Sequence, residues 1–193
     1  MKLVFATHNP NKLYEVQLLM PQHITLLSLD DIGCSEEIPE TSKTLKGNAK
    51  LKADFVTEHY EMPCFADDTG LLVDYLNGEP GVYSARYAGK QKNAEENMNK
   101  LLEALKGEEN RSAHFKTIIA LNLPKESHFF EGIVEGEITT EKRGDRGFGY
   151  DPIFRPRGYH ETFAQLAIET KNKISHRSRA LQKLIKLLQT TVL

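Results

Sequence analysis

Apolar residues along this chain alternate between short continuous runs and stripes with helical spacing. The run from Leu3 to Ala6 predicts a buried strand, and the polar segment from Thr7 to Asn11 separates it from a helix. That helix carries Leu13 and Val16 on one face, and a second strand is expected over residues 24–29. The chain therefore begins as strand, loop, helix and strand.

A longer helix is predicted after an acidic loop at residues 36–40. Its apolar stripe is spaced by four, four, three and four residues and consists of Leu45, Ala49, Ala53, Val56 and Tyr60. Candidate N-caps precede the stripe at Thr41, Ser42 and Thr44, so the helix is expected over residues 45–59. Asn48 and Lys52 are four residues apart beside the stripe, so their side chains reach the same point in space.

The remaining elements complete an alternating pattern. A strand that ends at residues 65–66 is expected to stop at Asp67 and Asp68, and apolar positions from Ala94 to Leu105 predict another helix. Two partly alternating segments, 113–123 and 129–138, predict an antiparallel pair. The last helix is expected from about Ser175 to Gln189, with a core face formed by Ala180, Leu181, Leu184 and Leu188. Strands interleaved with helices favour an α/β fold with a mixed sheet.

Composition narrows the class of protein. A length of 193 residues suits one main core, and a mean hydropathy of −0.47 with 27% charged residues is ordinary for a soluble globular protein. The net charge is −2, so no overall field recruits nucleic acid or an anionic membrane. No apolar stretch approaches the ~18 residues of a membrane span, and no signal peptide is evident. We expect a cytoplasmic protein whose two cysteines are free thiols.

The first loop, Thr7 to Lys12, is a candidate anion site. It lies between a strand and a helix N-terminus, where backbone N–H groups and the helix dipole favour negative charge, and Lys12 adds a cation. The segment lacks the glycines of a Walker A loop. An ordinary turn explains the same residues equally well.

Two neighbouring carboxylates follow the third predicted strand. Asp67 and Asp68 offer oxygen ligands for Mg²⁺, although a turn formed with Thr69 and Gly70 is the alternative. The string of residues 68–70 also matches the three-residue signature of aspartic proteases. A protease would leave the basic motifs of the chain unexplained.

The start of the last helix is unusually basic. His176, Arg177 and Arg179 follow the expected cap Ser175, at the end where the helix macrodipole is already positive. A bound polyanion would remove this conflict. The alternative is that these side chains extend into water.

An aromatic loop supplies the last candidate site. Phe148 and Tyr150 stand beside glycines, where aromatic faces stack on a base and the backbone approaches it closely, with core packing as the alternative. Arg86 suits a phosphate or a structural carboxylate. The seven histidines lack metal-ligand spacing, which disfavours zinc. Together, the basic segments, the carboxylates and the aromatic loop describe a site for a nucleoside triphosphate with Mg²⁺.

Seven segments, in order along the chain, carry a family resemblance. They are THNPNK (7–12), ET (40–41), NAKLKA (48–53), ADDTGL (66–71), PGVYSARYAG (80–89), FGYDPIF (148–154) and KNKISHR (171–177). With these motifs the chain resembles the inosine triphosphate pyrophosphatase family, whose members act on deaminated purine nucleotides. One such string is a weak signal, whereas all of them in order are highly specific.

The resemblance implies a fold, a reaction and an assembly. The implied fold is a single domain over residues 1–193, with two lobes around an active-site cleft and a long mixed central sheet flanked by helices. The implied reaction is hydrolysis of dITP, ITP and XTP to the nucleoside monophosphate and pyrophosphate, with Mg²⁺ as cofactor. The implied assembly is a cytoplasmic homodimer with no nucleic-acid and no membrane partner.

The resemblance also implies a role for each motif residue. Asp68 would be the base that prepares water, Asp67 would support it, and Lys52 would grip the triphosphate. Glu40 and Asp68 would bind the metal. The nucleotide would be bound by Thr7, His8, Asn9, Pro10, Asn11, Lys12, Thr69, Phe148, Gly149, Tyr150, Asp151, Lys171, His176 and Arg177.

Two positions depart from the family pattern. Gly47 stands where the family often carries a glutamate, which removes one metal carboxylate, and Thr69 replaces a serine but keeps the hydroxyl. Three alternatives stay open. These are a pyrophosphatase for another base such as a modified pyrimidine, a nucleotide-binding module without turnover, and a nucleic-acid-binding protein that uses residues 176–179.

Overall fold

A computed structural model describes residues 1–191, in which strands and helices alternate as the sequence predicts. The helices are α1 (Pro10–Gln17), α2 (Leu45–Tyr60), α3 (Ala94–Ala104), α4 (Ile168–Ile174) and α5 (His176–Thr191). The strands are β1 (Lys2–Phe5), β2 (Thr25–Leu27), β3 (Cys64–Val73), β4 (Pro80–Gly81), β5 (Ser112–Leu123), β6 (Glu126–Ile138) and β7 (Phe154–Pro156). In the part of the chain that the structure describes, no helix is both long and apolar enough to cross a membrane.

The strands form one mixed sheet in the order β2-β1-β3-β5-β6-β7, with β4 paired to β3. Strand β1 runs parallel to β2 and β3, whereas β4 and β7 are antiparallel to their neighbours. Strands β5 and β6 are hydrogen-bonded neighbours joined by two residues, as the predicted hairpin requires. The mixed α/β fold expected from the sequence is confirmed.

The chain divides into two compact units, each with its own apolar core. The first unit comprises Met1–Asp68, Thr117–Gly132 and Arg177–Leu193, and the second comprises Thr69–Lys116 and Ile133–His176. In the first unit, Phe5 and Phe65 are partners in the β1–β3 register, and their stacked rings have centroids 4.6 Å apart. The predicted core face of α5 packs against these strands. The second core is built around aromatic rings and leucines, including Leu101, Phe115, Phe154 and Phe163.

Helix α2 begins at the predicted position and is capped by one of the predicted residues. The Thr44 Oγ1 atom accepts a hydrogen bond from the Gly47 backbone N–H at 3.1 Å, and Ala53 on the apolar stripe is fully buried. A Cβ atom added at Gly47 would collide with the Ser42 side chain. Position 47 is therefore closed to any larger residue unless Ser42 moves.

Strand β3 corrects one prediction from the sequence. The strand does not stop at Asp67 and Asp68 but continues to Val73, so both carboxylates lie in mid-strand and the turn alternative is wrong. Its second half pairs with β4, where Leu71 lies opposite Gly81. The error arose because charged residues were taken to end a buried strand, which is unnecessary when each charge has a buried partner. Smaller discrepancies are that β2 covers only part of residues 24–29 and that the short elements β4, β7 and α4 were not predicted.

Candidate active site

Asp67 holds two cations inside the first unit. Its carboxylate, only 1% exposed, accepts Lys12 Nζ at 2.9 Å and Arg177 Nε at 3.1 Å. Burial favours the neutral acid, but the two cations outweigh burial and hold the pKa of Asp67 well below its usual range. Arg177 also ion-pairs with Glu15 of α1, and its pKa is raised because these carboxylates outweigh its burial. Asp67 is therefore ionised at neutral pH and binds α1 to α5.

The nearest partners of Asp68 are two side chains of α2. Asn48 Nδ2 donates to Asp68 Oδ2 at 3.2 Å, and Lys52 Nζ lies 3.7 Å from Asp68 Oδ1. The prediction that Asn48 and Lys52 reach the same point is thus confirmed. Lys52 Nζ also donates to Glu40 Oε1 at 2.6 Å. Burial lowers the pKa of Lys52, but Asp68 and Glu40 outweigh burial and raise it, so Lys52 remains a cation.

The environments of the two aspartates drive their pKa values apart. Burial raises the pKa of Asp68, and the opposing effect of Lys52 does not cancel it, whereas the pKa of Asp67 is lowered. A carboxylate with a raised pKa is suited to accept a proton during a reaction, and its ionised neighbour is suited to hold cations. The pair therefore has the electrostatic asymmetry of an acid–base site. We call these two aspartates and their partners the charged cluster: Lys12, Glu15, Glu40, Asn48, Lys52, Asp67, Asp68 and Arg177.

The carboxylates of the charged cluster fit a hard divalent cation. Glu40 and Asp68 both approach Lys52 Nζ, so one cation already draws their oxygen atoms together. Among residues 1–191, no group of three or more His, Cys, Asp or Glu side chains is placed to hold a metal ion. Mg²⁺ is commonly held by one or two carboxylates, with water and substrate phosphates completing its coordination. Two carboxylates are therefore an adequate protein donor set for Mg²⁺.

The loop Thr7 to Lys12 is more fully hydrogen-bonded than the sequence suggested. Asn9 caps α1, and its Oδ1 atom accepts from the backbone N–H groups of Asn11 at 2.9 Å and Lys12 at 3.2 Å. Pro10 stands at the first turn of the helix and has no N–H, while His8 Nε2 lies 2.9 Å from the Glu36 carbonyl oxygen. Two of the backbone N–H groups expected to be open for an anion at this terminus, those of Asn11 and Lys12, are therefore already occupied. The loop also carries the Lys12 ammonium group, which pairs with Asp67, and burial lowers the pKa of Lys12 despite this pairing.

In the second unit, a buried ion pair lies among aromatic rings. Lys171 Nζ donates to Asp151 Oδ2 at 2.6 Å, and both side chains are almost completely buried. The ammonium also lies 5.1 Å from the ring centroid of Phe148 and 5.6 Å from that of Phe163. Asp151 Oδ2 in addition accepts the Phe148 backbone N–H at 2.8 Å. These contacts bring together three of the residues predicted to bind a nucleotide.

The basic start of α5 is buried, not solvated. His176 is 4% exposed and stacks on Phe115 with ring centroids 4.6 Å apart, and Arg177 is 2% exposed. The alternative that these two side chains extend into water is therefore wrong. Part of the charge conflict at this helix terminus is relieved by Glu15 and Asp67, which belong to the chain itself. Burial also leaves these two side chains poorly placed to track a long nucleic-acid strand.

The other predicted nucleotide-binding residues differ in their exposure. Thr69 lies half-buried on β3, and Gly149 adopts a left-handed backbone conformation beside the half-buried Phe148. Tyr150 is buried, and its hydroxyl donates to the Ser84 carbonyl oxygen at 2.8 Å.

The Lys171–Asp151 ion pair and the rings described with it and with His176 are named together below. We call these residues of the second unit the aromatic cluster: Phe115, Phe148, Asp151, Phe163, Lys171 and His176.

Sequence reasoning missed several residues of the two clusters. Glu15 was detectable as an acidic residue between Leu13 and Val16, at a position that α1 buries. Phe115 and Phe163 gave no such signal, because a core phenylalanine and a phenylalanine beside a ligand look the same in sequence. Both lie in the core of the second unit as well as beside His176.

Comparisons with known proteins bear on this geometry. Residues 3–187 match the model of the Ham1 family. A dITP/XTP pyrophosphatase of Flavobacterium johnsoniae is 61% identical over 191 residues, which cover 99% of this chain and 100% of that one. The solved structure of the Staphylococcus aureus Ham1 protein superposes with a TM-score of 0.90 at 38% identity, covering 99% of this chain and 100% of that one. A nucleoside-triphosphatase / dITP/XTP pyrophosphatase from Mycobacterium abscessus superposes with a TM-score of 0.77 at 42% identity, covering 95% and 98%.

Proposed function

Because this chain belongs to the Ham1 family, we propose that it hydrolyses deaminated purine nucleoside triphosphates. The substrates are dITP, ITP and XTP, and the products are the nucleoside monophosphate and pyrophosphate. The observation that carries this proposal is the pair of adjacent aspartates on β3, where Asp68 lies beside Asn48 and Lys52 while Asp67 holds Lys12 and Arg177. The similarity to dITP/XTP pyrophosphatases supports the choice of base.

Asp68 is the group that prepares the attacking water. The oxygen of the water bonds to the α-phosphorus, the bond from that phosphorus to the oxygen shared with the β-phosphorus breaks, and pyrophosphate leaves with the electron pair of that bond. The proton released by the water passes to the Asp68 carboxylate, which acts as the general base. Asn48 fixes the orientation of this carboxylate through its amide donor. Asp67 supports the site by holding Lys12 and Arg177.

Cations of the charged cluster bind the triphosphate. Lys12 and Lys52 are buried or half-buried ammonium groups, and each stands beside one of the two aspartates. They stabilise the negative charge that develops on the departing pyrophosphate, because a fixed cation in a site shielded from water interacts strongly with an anion. The remaining residues of the first loop, Thr7 to Asn11, position Lys12 through the cap of α1.

We further propose Mg²⁺ as the cofactor, held by Glu40 and Asp68. When bound, Mg²⁺ spreads the negative charge of the triphosphate and so favours attack by water. Lys52 contacts both of these carboxylates and keeps their oxygen atoms directed to one place. Gly47 contributes no ligand, so these two carboxylates form the whole set that we assign to the metal.

The aromatic cluster and its neighbours bind the base side of the nucleotide in this proposal. The half-buried Phe148 offers a ring face, and the Lys171–Asp151 pair offers polar groups beside it. A site that donates a hydrogen bond to the 6-oxo group of a purine discriminates against a 6-amino group, because its donor is then unpaired. Thr69, Gly149, His176 and Arg177 are the remaining residues that we assign to the nucleotide, whereas Tyr150 supports the loop through its hydroxyl group.

Pyrophosphate release tests the proposed reaction. Purified protein with Mg²⁺ is assayed on dITP, XTP, ATP and GTP, with a modified pyrimidine triphosphate added to the panel. We expect selective turnover of dITP and XTP, which Asp68→Asn abolishes and which the exposed control Asp74→Asn retains. Preferential turnover of the pyrimidine would instead assign another base. Tight binding of dITP without any product would make the protein a nucleotide-binding module.

We also propose a homodimer located in the cytoplasm, and one domain with two lobes, on the strength of the family resemblance. The proposed substrates belong to the free nucleotide pool, which agrees with that compartment. Sedimentation equilibrium is expected to give twice the mass of 21.9 kDa, and a monomer at all concentrations would contradict the dimer. Cell fractionation tests the location.

A further inference from the structure

Ser84 joins three segments of the second unit and has none of the roles assigned above. It is buried at the start of a short 3-10 turn, Ser84–Arg86. Its Oγ atom accepts the Leu71 backbone N–H at 2.9 Å and donates to the Gly81 carbonyl oxygen at 2.6 Å. Its own carbonyl oxygen accepts the Tyr150 hydroxyl at 2.8 Å. The side chain of Ser84 thus fixes this residue to β3 and β4, and the carbonyl oxygen of the same residue accepts the hydrogen bond of Tyr150.

Tyr150 is the link from Ser84 to the aromatic cluster. Gly147 and Gly149 both have positive φ, so this loop has the backbone freedom to adopt other conformations unless its side chains restrain it. Two restraints are visible. The Tyr150 hydroxyl donates a hydrogen bond to the Ser84 carbonyl oxygen. The carboxylate of the next residue, Asp151, accepts hydrogen bonds from Lys171 and from the Phe148 backbone N–H.

The Tyr150 hydroxyl is fully engaged in this restraint. Its ring is 5% exposed, and burial holds the pKa of Tyr150 well above the usual range, so the group stays a hydrogen-bond donor across the working pH. The proton is directed at the Ser84 carbonyl oxygen and not toward the half-buried face of the loop. Tyr150 therefore acts on the loop and does not offer its donor to a ligand.

We propose that Ser84 is a positioning residue for the nucleotide site, which acts through Tyr150 to fix the loop that carries Phe148 and Asp151. This inference rests on the proposed function, because the loop matters only if the aromatic cluster binds the base. Loss of the restraint leaves the chemistry at Asp68 unchanged but lets Asp151 and Phe148 depart from the binding conformation. The result is weaker substrate binding at a preserved rate of turnover.

A double-mutant cycle on the full chain tests the proposal, with kcat and KM measured for dITP in the presence of Mg²⁺. Tyr150→Phe removes only the hydroxyl, and Ser84→Ala removes the side chain that fixes the carbonyl. We expect Tyr150→Phe to raise KM about fivefold, as the loss of one buried hydrogen bond does, and to change kcat by less than about twofold. Ser84→Ala is expected to raise KM similarly. The KM of the double variant is expected to be no higher than that of the single variant with the higher KM, because both substitutions break the same linkage.

Tyr75→Phe is the matched control, since Tyr75 is an exposed tyrosine of the same unit. We expect its KM to equal that of the natural chain. The proposal is overturned if Tyr150→Phe has the same KM as the natural chain, or if the effects of the two substitutions on KM are additive. A lowered melting temperature with an unchanged KM would show that Ser84 and Tyr150 serve only the stability of the fold. If Ser84→Ala does not fold, Tyr150→Phe decides by itself. If the natural chain binds dITP without hydrolysis, the proposed function fails and the same cycle is read from Kd; if it does not bind dITP, both fail.

Discussion

Asp67 and Asp68 are adjacent on β3, yet each is held by cations from different helices. Asp67 binds Lys12 of α1 and Arg177 of α5, whereas Asp68 lies beside Lys52 of α2. Successive side chains of a strand point to opposite faces, so the two carboxylates enter separate environments although their Cα atoms are neighbours. The carboxylate of Asp67 holds α1 and α5, and the carboxylate of Asp68 is the one to which we assign the proposed chemistry.

The Asp67→Asn substitution is expected to destabilise the fold. The amide keeps the shape of the side chain but leaves the buried Lys12 and Arg177 with less negative charge nearby. Breaking a buried ion pair on one side costs about 3 kcal/mol of unfolding free energy. Urea denaturation measures this loss. The control is Glu103→Gln, which breaks an exposed pair with Lys106 and is expected to cost less than about 0.5 kcal/mol. Equal losses in the two variants would contradict the assigned role of Asp67.

The Asp68→Asn substitution is expected to separate activity from stability. Lys52 keeps its shorter ion pair with Glu40 and burial already disfavours the charged form of Asp68, so a neutral amide is expected to cost less unfolding free energy here than at Asp67. Hydrolysis of dITP is expected to fall at least about 100-fold, as the loss of a general base does. Denaturation midpoints and pyrophosphate release are measured on the same preparation. A large loss of stability together with activity would make Asp68 structural.

Glu40→Gln is expected to raise the Mg²⁺ requirement. The amide retains one oxygen ligand but loses the charge that attracts a hard cation, so the Mg²⁺ concentration for half-maximal rate is expected to rise about tenfold. The measurement is dITP hydrolysis across a Mg²⁺ titration. Glu36→Gln, at an exposed position of the same loop, is the control. An unchanged requirement in Glu40→Gln would remove Glu40 from the metal site.

Gly47→Ala is expected to destabilise the chain through one identifiable contact. The new Cβ atom would overlap the Ser42 side chain, and such overpacking costs about 1–3 kcal/mol. Removal of the obstacle by Ser42→Gly should recover most of the loss in the double variant, and the single Ser42→Gly variant serves as the reference. Thermal denaturation of all three checks this. Natural stability in Gly47→Ala would show that Ser42 yields without cost.

The two thiols are expected to be unreactive in the folded protein. Cys34 and Cys64 are both buried, and burial raises the pKa of Cys64 far above its usual range, so little thiolate forms there. A thiol reagent such as Ellman's should modify both residues only in denaturant. An exposed cysteine introduced by Asp74→Cys should react at once in the native state. Rapid modification of the natural chain would contradict the burial of these residues.

The sequence predicted the parts of this structure that depend on periodicity. Helix α2, the core face of α5 and the shared target of Asn48 and Lys52 follow from residues four apart lying on one side of a helix. Each of these is local, so a short segment contains the whole pattern. The structure agrees with all three.

Features that depend on distant partners could not be predicted in this way. The predicted strand was shorter than β3 because the negative charge of Asp67 is balanced by Lys12 and Arg177, which are 55 and 110 residues away in the chain. The burial of Arg177 and its ion pair with Glu15 could not be predicted for the same reason, because these two residues are also far apart in the chain. The role assigned to each residue at the nucleotide site came from the family resemblance and stays a prediction.

Because Asp67 and Asp68 lie in the middle of β3, the register of this strand decides which carboxylate faces which set of cations. Because side chains of a strand alternate with a period of two, a single inserted or deleted residue before them would exchange their faces. Each carboxylate would then meet the other's cations, although the composition of the chain would scarcely change. A one-codon insertion or deletion in this strand is therefore expected to disturb both carboxylates at once, whereas a substitution at either position changes only one of them.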